Sequence, residues 1–353
     1  MALNLTSIQI KRCSQCLVME DRGAGVIVGD DGVCTLCKKD SNKYDEYTWE
    51  EKEKIFEDII MKEKGKHRYD GLVMMSGGKD SAYLAYTLKK KYGMNVMGFV
   101  IDQGYEYHDS FTNAKKVCKQ LEMPIMFYQP DMIALNKFYK FVTLDPVLRR
   151  KDYGQICFYC GYVLKNLASK WAQMIDAPYV FSGYNPDQIS DLGDAVVTQK
   201  DPGKREHQIF LRDAVYSKME EAVAHVKTCD NAAEMLPYFE MPQTPILYYY
   251  QHIDYDPMAM MDVIRKELNW EPIQRFRKNY IASGCQLATV LVHLCRKKNI
   301  PDYIQKEWST QIRRGTLDKD HIQKLINEFQ LDQAEVDEVL DTLGLDQNTI
   351  LNL

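Results

Sequence analysis

Long apolar runs are missing from this chain: nowhere in its 353 residues is there a stretch approaching the roughly 20 apolar residues that cross a bilayer. No early segment combines a basic start, an apolar run and a small-residue cleavage site, so the expectation is a cytoplasmic protein without membrane contact. Internal repeats and low-complexity tracts are lacking too, which excludes solenoid architectures. Charge of one sign does not dominate. A formal net charge of −5 disfavours a broad nucleic-acid-coating surface and leaves local clusters such as Arg149, Arg150 and Lys151, residues 275–278 and residues 296–298. Among seven histidines none pairs with another at metal-ligand spacing, and His108 beside Asp109 reads most simply as a capping or surface residue.

Cysteine is what the chain does have. Ten cysteines without a secretion signal point to metal, redox or catalytic use in preference to a disulfide framework. Cys13-x-x-Cys16 and Cys34-x-x-Cys37 form two knuckles, and four thiolates at that spacing close a Zn²⁺ tetrahedron that substitutes for a hydrophobic core. Four protein ligands leave no open coordination position, so the expected role is structural or for substrate docking.

From Tyr69 onward, short apolar strands (71–75, 95–102, 124–128, 178–183) alternate with amphipathic helices, the signature of a parallel sheet covered on both faces. Ala82, Leu84, Ala85 and Leu88 share one helix face, and Val163, Leu164, Leu167, Ala168 and Trp171 form the stripe of a strong helix over 160–176. The expected fold class is α/β with an N-terminal zinc ribbon and a helical C-terminal part. The division is a ribbon module at 1–45 with a helical linker to 68, a nucleotide domain at 69–255 and a helical region at 256–353. Residues 190–244 read as polar and irregular, and two short helices are expected near 319–329 and 333–343.

The first strand breaks into Ser76-Gly77-Gly78-Lys79-Asp80-Ser81. Glycines permit close backbone approach, and the helix that follows aims unpaired N–H groups and a positive dipole at the turn, so a phosphate is the natural occupant. Ser76 and Ser81 add hydroxyl donors and Lys79 adds charge. Further on, Cys157-x-x-Cys160 opens the strong helix, with Cys160 on its apolar stripe; the sulfur is expected to face the sheet, and the helix N-terminus to lower its pKa. Cys118 and Cys295 lie on apolar helix faces and read as core. Tyr248, Tyr249 and Tyr250 read as a core strand more readily than as a base-stacking platform.

The loop lacks the Walker A spacing and resembles the SGGxDS loop of the PP-loop ATP pyrophosphatases, of the adenine nucleotide alpha hydrolase type. The resemblance implies that residues 76–81 grip the pyrophosphate end of ATP with Mg²⁺, and that the anhydride between its α and β phosphates is cut to adenylate a substrate oxygen. An acidic residue after the second strand is implied as well, and Asp102 is the matching position. The segment "GYNPDQ" resembles the GHxxDD element of tRNA thiolases: Gly183 and Asp187 match, while Tyr184 replaces the histidine and Gln188 the second aspartate. In those thiolases a third cysteine completes a set that commonly holds a [4Fe–4S] cluster. Cys285 is the candidate here, with Cys229 as its rival.

"CSQC…GDDGVCTLC" and "IRRGTLDKDHIQKLINEF" instead resemble the N-acetyl sugar amidotransferases, which implies ammonia from a glutaminase partner. The interior cysteines weigh the reading toward sulfur. An ATP-dependent sulfur transferase, with Cys157, Cys160, Cys285 and Lys79 as its catalytic residues, is the expectation, and an amidotransferase acting on a nucleotide-linked sugar is the alternative. Bound zinc and a cluster or free catalytic thiols accompany the first reading. The charge total favours a small-molecule or nucleotide substrate over tRNA, and a sulfur-donor protein and a homodimer stay open.

Overall fold

A computed structural model of the chain describes residues 11–22, 25–38, 47–150, 153–185, 214–274 and 284–353. Five strands form one sheet: β1 (Gly71–Met74), β2 (Val96–Ile101), β3 (Ile125–Tyr128), β4 (Val180–Ser182) and β5 (Ile246–Tyr248). All neighbouring pairs are parallel, in the order β3-β2-β1-β4-β5. The α/β class expected from the strand pattern is the one found.

Central β1 alternates its side chains between two cores, as strand geometry requires. Leu72 packs with Phe99, Tyr139, Tyr162 and Leu291 on one face, and Val73 with Ala82, Leu88, Phe181 and Ile264 on the other. Gly71 opens β1 because a Cβ there would lie 2.2 Å from the Phe181 ring.

The order has a functional consequence. After β1, the chain adds β2 and β3 on one side and then returns to place β4 and β5 on the other. The segments leaving β1 and β4 therefore diverge and open a crevice at the carboxyl ends of the strands, where ligands bind in open α/β sheets. Both the glycine-rich turn at Ser76–Gly78 and Gly183 sit at that switch point.

Elsewhere the local expectations meet mixed outcomes. The strong helix spans Gln155–Met174, beginning five residues before the expected start at 160, so Cys157 falls in its first turn and Cys160 in its second. The stretch 190–244 is not irregular throughout: a helix at Ala214–Val226 and a short one at Ala232–Met235 occupy its described part. The remainder, including the polar segment 198–208, lies outside the described residues. Helices Lys319–Glu328 and Gln333–Leu343 form where expected, each opened by an Asp N-cap (Asp318 and Asp332), and the second stops at Gly344 with φ 70°. Tyr248, Tyr249 and Tyr250 are buried as a core reading requires, but only Tyr248 belongs to strand β5, and Tyr249 and Tyr250 open a 3-10 turn. Cys118 and Cys295 are buried core residues. Arg296 does not contribute to a surface patch: its guanidinium is turned inward, 3.6 Å from the buried Asp302 carboxylate.

Candidate active site

Gly77 turns the chain after β1 with φ 73°, and a Cβ on it would stand 1.9 Å from the Ser110 carbonyl oxygen. Only glycine fits. Trp270 donates its indole N–H to the Gly77 carbonyl at 2.9 Å, holding the turn from the far side. Gly78 then caps helix Lys79–Lys90 without any side-chain hydrogen bond to the first turn, so the helix presents its N–H groups to the crevice. Ser76 and Ser81 hydroxyls lie 3.2 Å apart beside this opening. Lys79 reaches 2.9 Å to the Asp80 carboxylate, whose other oxygen accepts from Tyr255 at 2.9 Å. Gly183 comes from β4 and packs so closely that a Cβ would lie 3.0 Å from the Ser81 nitrogen.

Ser76, Gly77, Gly78, Lys79, Asp80, Ser81 and Gly183 line a cavity of about 370 Å³, and Cys157, Cys160 and Cys285 line the same cavity. Helix Gln155–Met174 contributes the first two sulfurs. The third is carried at the N-cap of helix Gln286–Lys297, and an antiparallel bridge pairs Cys285 with Glu106 in the loop after β2. Cys229 is elsewhere, within 4.8 Å of Asp145 and His225, in a group formed by the aspartate that ends helix Met132–Leu144 and the end of helix Ala214–Val226.

Cys160 corrects the expectation of a lowered thiol pKa. Burial pushes it well up, against a smaller downward pull from Tyr139. Tyr139 donates to its sulfur at 2.9 Å, and the thiol donates to the Gln103 side-chain oxygen at 2.9 Å, a pattern that suits a neutral S–H. Dipole attraction at a helix N-terminus is worth a fraction of what desolvation costs once the group is enclosed. Burial likewise raises Cys285, with Glu106 adding to it. Thiols this reluctant to ionise need a metal or a cation to become thiolates.

Asp102 does not line the cavity. Its carboxylate accepts from Gly104 N at 2.9 Å and from Gln129 at 3.1 Å, which is the loop-capping use of Asp. The carboxylate that faces the cavity from this loop is Glu106, which accepts from Gln103 at 2.9 Å and is lifted to about 7, chiefly by burial and then by Asp102, against the Gln103 bond. No sequence signal marked Glu106, Gln103 or Glu307, which line the cavity through fold contacts, or Tyr139, which acts on it through Cys160. Tyr184, standing where the thiolase pattern has histidine, lies over Gly161, where a Cβ would approach its hydroxyl to 3.0 Å. Asp187 and Gln188 lie outside the described residues.

The ribbon cysteines converge separately. Cys13 and Cys37 sulfurs are 3.8 Å apart and Cys16 and Cys34 sulfurs 3.7 Å, with all four ligand atoms within 4.8 Å of one another. Four sulfurs about 2.3 Å from one tetrahedral ion stand about 3.8 Å apart, so this donor set fits a metal ion. Backbone N–H groups of Cys34 and Cys37 point at the Cys13 and Cys34 sulfurs.

Among the described residues no helix is long and apolar enough to cross a membrane. No protein-family model matches the chain. Over 123 residues, 33% of its length, it is 28% identical to the cytoplasmic tRNA 2-thiolation protein 1 of Candida albicans, and this covers 30% of that relative. The corresponding protein of Laccaria bicolor is 27% identical over 123 residues, again 33% of each chain, so the match spans about a third of these curated relatives. Among solved structures, the U34-tRNA thiolase NcsA of Methanococcus maripaludis with its [4Fe–4S] cluster aligns over 91% of this chain and 88% of its own, at 16% identity and TM-score 0.32. NMN synthetase of Francisella tularensis aligns over 87% and 94%, at 10% identity and TM-score 0.39. The chain is thus similar in part of its sequence to tRNA thiolation proteins, and it carries a glycine-rich loop, Ser76–Ser81, after the central strand of a five-stranded parallel sheet.

Proposed function

We propose that the protein is a cytoplasmic ATP-dependent sulfur transferase that adenylates a carbonyl oxygen of a nucleobase in tRNA and replaces it with sulfur, releasing AMP and pyrophosphate. The observation that carries this reading is the single cavity lined by both the phosphate-type loop and three cysteines. The loop's free N–H groups and Lys79 receive the β and γ phosphates with Mg²⁺, which leaves the α phosphate toward the sulfur end of the cavity. Attack by the substrate oxygen forms the adenylate and expels pyrophosphate. Sulfur then attacks the activated carbon and AMP departs with the oxygen.

Cys157, Cys160 and Cys285 are the residues that would hold a [4Fe–4S] cluster, and three sulfur donors suit one that keeps an open position. When bound, such a cluster supplies an iron at which exogenous sulfide can be kept. Tyr139, which donates to the Cys160 sulfur, orients it whether it is a thiol or a thiolate. The four ribbon thiolates take Zn²⁺, and the named relatives tilt the substrate toward tRNA and away from the free small molecule that net charge alone favours. The division into ribbon, nucleotide domain and helical end remains our proposed domain scheme. An amidotransferase needs a channel for ammonia and no thiols, so three cysteines facing the loop weigh against it.

The test is incubation of anaerobically purified protein with ATP, Mg²⁺, sulfide and tRNA, reading AMP and thionucleoside. Cys160→Ala is expected to retain ATP binding and lose thiolation. Full turnover by that variant with ammonia in place of sulfide would refute the sulfur reading.

A further inference from the structure

One helix touches both metal-binding and nucleotide-binding features. Helix Tyr303–Arg314, about 18 Å long for its 12 residues, carries Glu307 and Ile304 on the cavity wall near its start and Arg313 near its end. The Arg313 guanidinium donates to the Cys16 sulfur at 3.3 Å and to Thr310 at 2.8 Å. The knuckle is held at two further points. Arg12 donates to the Leu17 carbonyl at 2.9 Å and to Gln305 of the same helix at 3.1 Å, and Lys319 donates to the Ser14 carbonyl at 3.3 Å. Leu17 packs in one apolar cluster with Ile304 and Trp308.

At the cavity end, Glu307 accepts from Asn185 at 2.5 Å and from Gln311 at 3.2 Å. Asn185 lies two residues beyond Gly183, whose backbone rests on Ser81 of the phosphate loop. A continuous set of contacts therefore runs from a ribbon sulfur to the loop.

We propose that Arg313 is a positioning residue that ties the ribbon's metal centre to the Glu307 wall of the cavity, so that full nucleotide affinity requires a filled ribbon. A tetrathiolate around a divalent ion carries two net negative charges, and a guanidinium on one sulfur offsets part of that charge while fixing the helix. With the metal removed, the four sulfurs lose the ion that holds them together, the knuckle loses its closure and Arg313 its fixed partner. Glu307 and Asn185 then lose their fixed anchor. The inference rests on the nucleotide-binding half of the function proposed above and on nothing in its sulfur chemistry.

The experiment is a thermodynamic cycle on the full chain with Co²⁺ in the ribbon. It reads the sulfur-to-cobalt charge-transfer band by absorbance and the affinity for a non-hydrolysable ATP analogue with Mg²⁺ by calorimetry. Arg313→Ala is expected to shift the band and weaken the analogue at least about fivefold, the low end of measured coupling between sites. Metal removal should weaken wild type by a similar factor and the variant by less than about twofold, because the two perturbations break one connection. Arg313→Lys, which keeps the charge, should recover most of the affinity, and with metal-free wild type it completes the cycle should the alanine variant not fold. A shifted band with unchanged affinity, or full additivity of the two losses, overturns the coupling alone. Wild type that binds no nucleotide in either metal state overturns it together with the proposed function.

Discussion

Gly77 and Gly78 look equivalent in sequence, yet the fold makes opposite demands on them. At Gly77, alanine must adopt φ 73° with its Cβ 1.9 Å from a backbone carbonyl. The left-handed conformation alone costs about 1–2 kcal/mol for a residue with a side chain. The overlap is worse, because the obstructing atom is backbone and relief requires moving the turn against helix His108–Gln120 by more than about 1 Å, so a further cost of similar size is expected. At Gly78, φ is −74° and the nearest atom to an added Cβ is the Ser76 hydroxyl at 3.3 Å, so alanine is accommodated in the empty site. Gly77→Ala should therefore lower the melting temperature by several degrees and abolish the stabilisation that ATP with Mg²⁺ confers. Gly78→Ala should melt within about a degree of wild type and lose only ligand stabilisation, because its methyl intrudes on phosphate approaching the helix N-terminus. Thermal denaturation of both variants with and without ATP makes the comparison. A Gly77→Ala protein with wild-type melting and a wild-type ATP shift would refute the assignment of a left-handed turn under a phosphate.

Other outcomes can be checked independently. His252 is wholly buried, with one ring nitrogen 3.1 Å from the Lys52 carbonyl, and burial lowers it from 6.5 to about 4. The unfolded chain thus binds a proton that the folded chain refuses, so stability is intact above pH 6.5 and falls as pH drops toward 4. The full loss is of order 3 kcal/mol, and urea denaturation at pH 7 and pH 4.5 should show a shallower pH slope for His252→Gln. Cys34→Ser should abolish the stoichiometric metal released to a chromogenic chelator by mercurial treatment, without removing any iron that the other cysteines hold. Tyr139→Phe leaves the Cys160 sulfur short of a buried donor, while the Gln103 carbonyl still accepts from the Cys160 thiol; destabilisation of about 1–3 kcal/mol is expected by chemical denaturation, with ATP affinity retained.

How much was legible in the chain depended on how far apart the interacting residues lie. The alternation that buries Leu72 and Val73 on opposite faces, the Cys-x-x-Cys knuckles, the two short helices near 319–329 and 333–343 and the turn at Ser76–Gly78 are all expressed within a few residues, so period, spacing and residue type suffice to read them. Cys160 was readable in position and misread in chemistry. The helix end that favours a thiolate is a local feature, whereas the burial that opposes it is set by packing with distant segments, and the oxygen that accepts the thiol proton is on Gln103, 57 residues away. Glu106 rather than Asp102 at the cavity, Cys285 rather than Cys229 beside the paired cysteines, and Glu307 near the loop all follow from long-range packing. Crossover of the chain at β1 and β4 brings these segments to one crevice, and desolvation there sets their ionisation. Local stereochemistry is written in neighbouring residues; which distant side chains share a low-dielectric space is known once the chain has closed on itself.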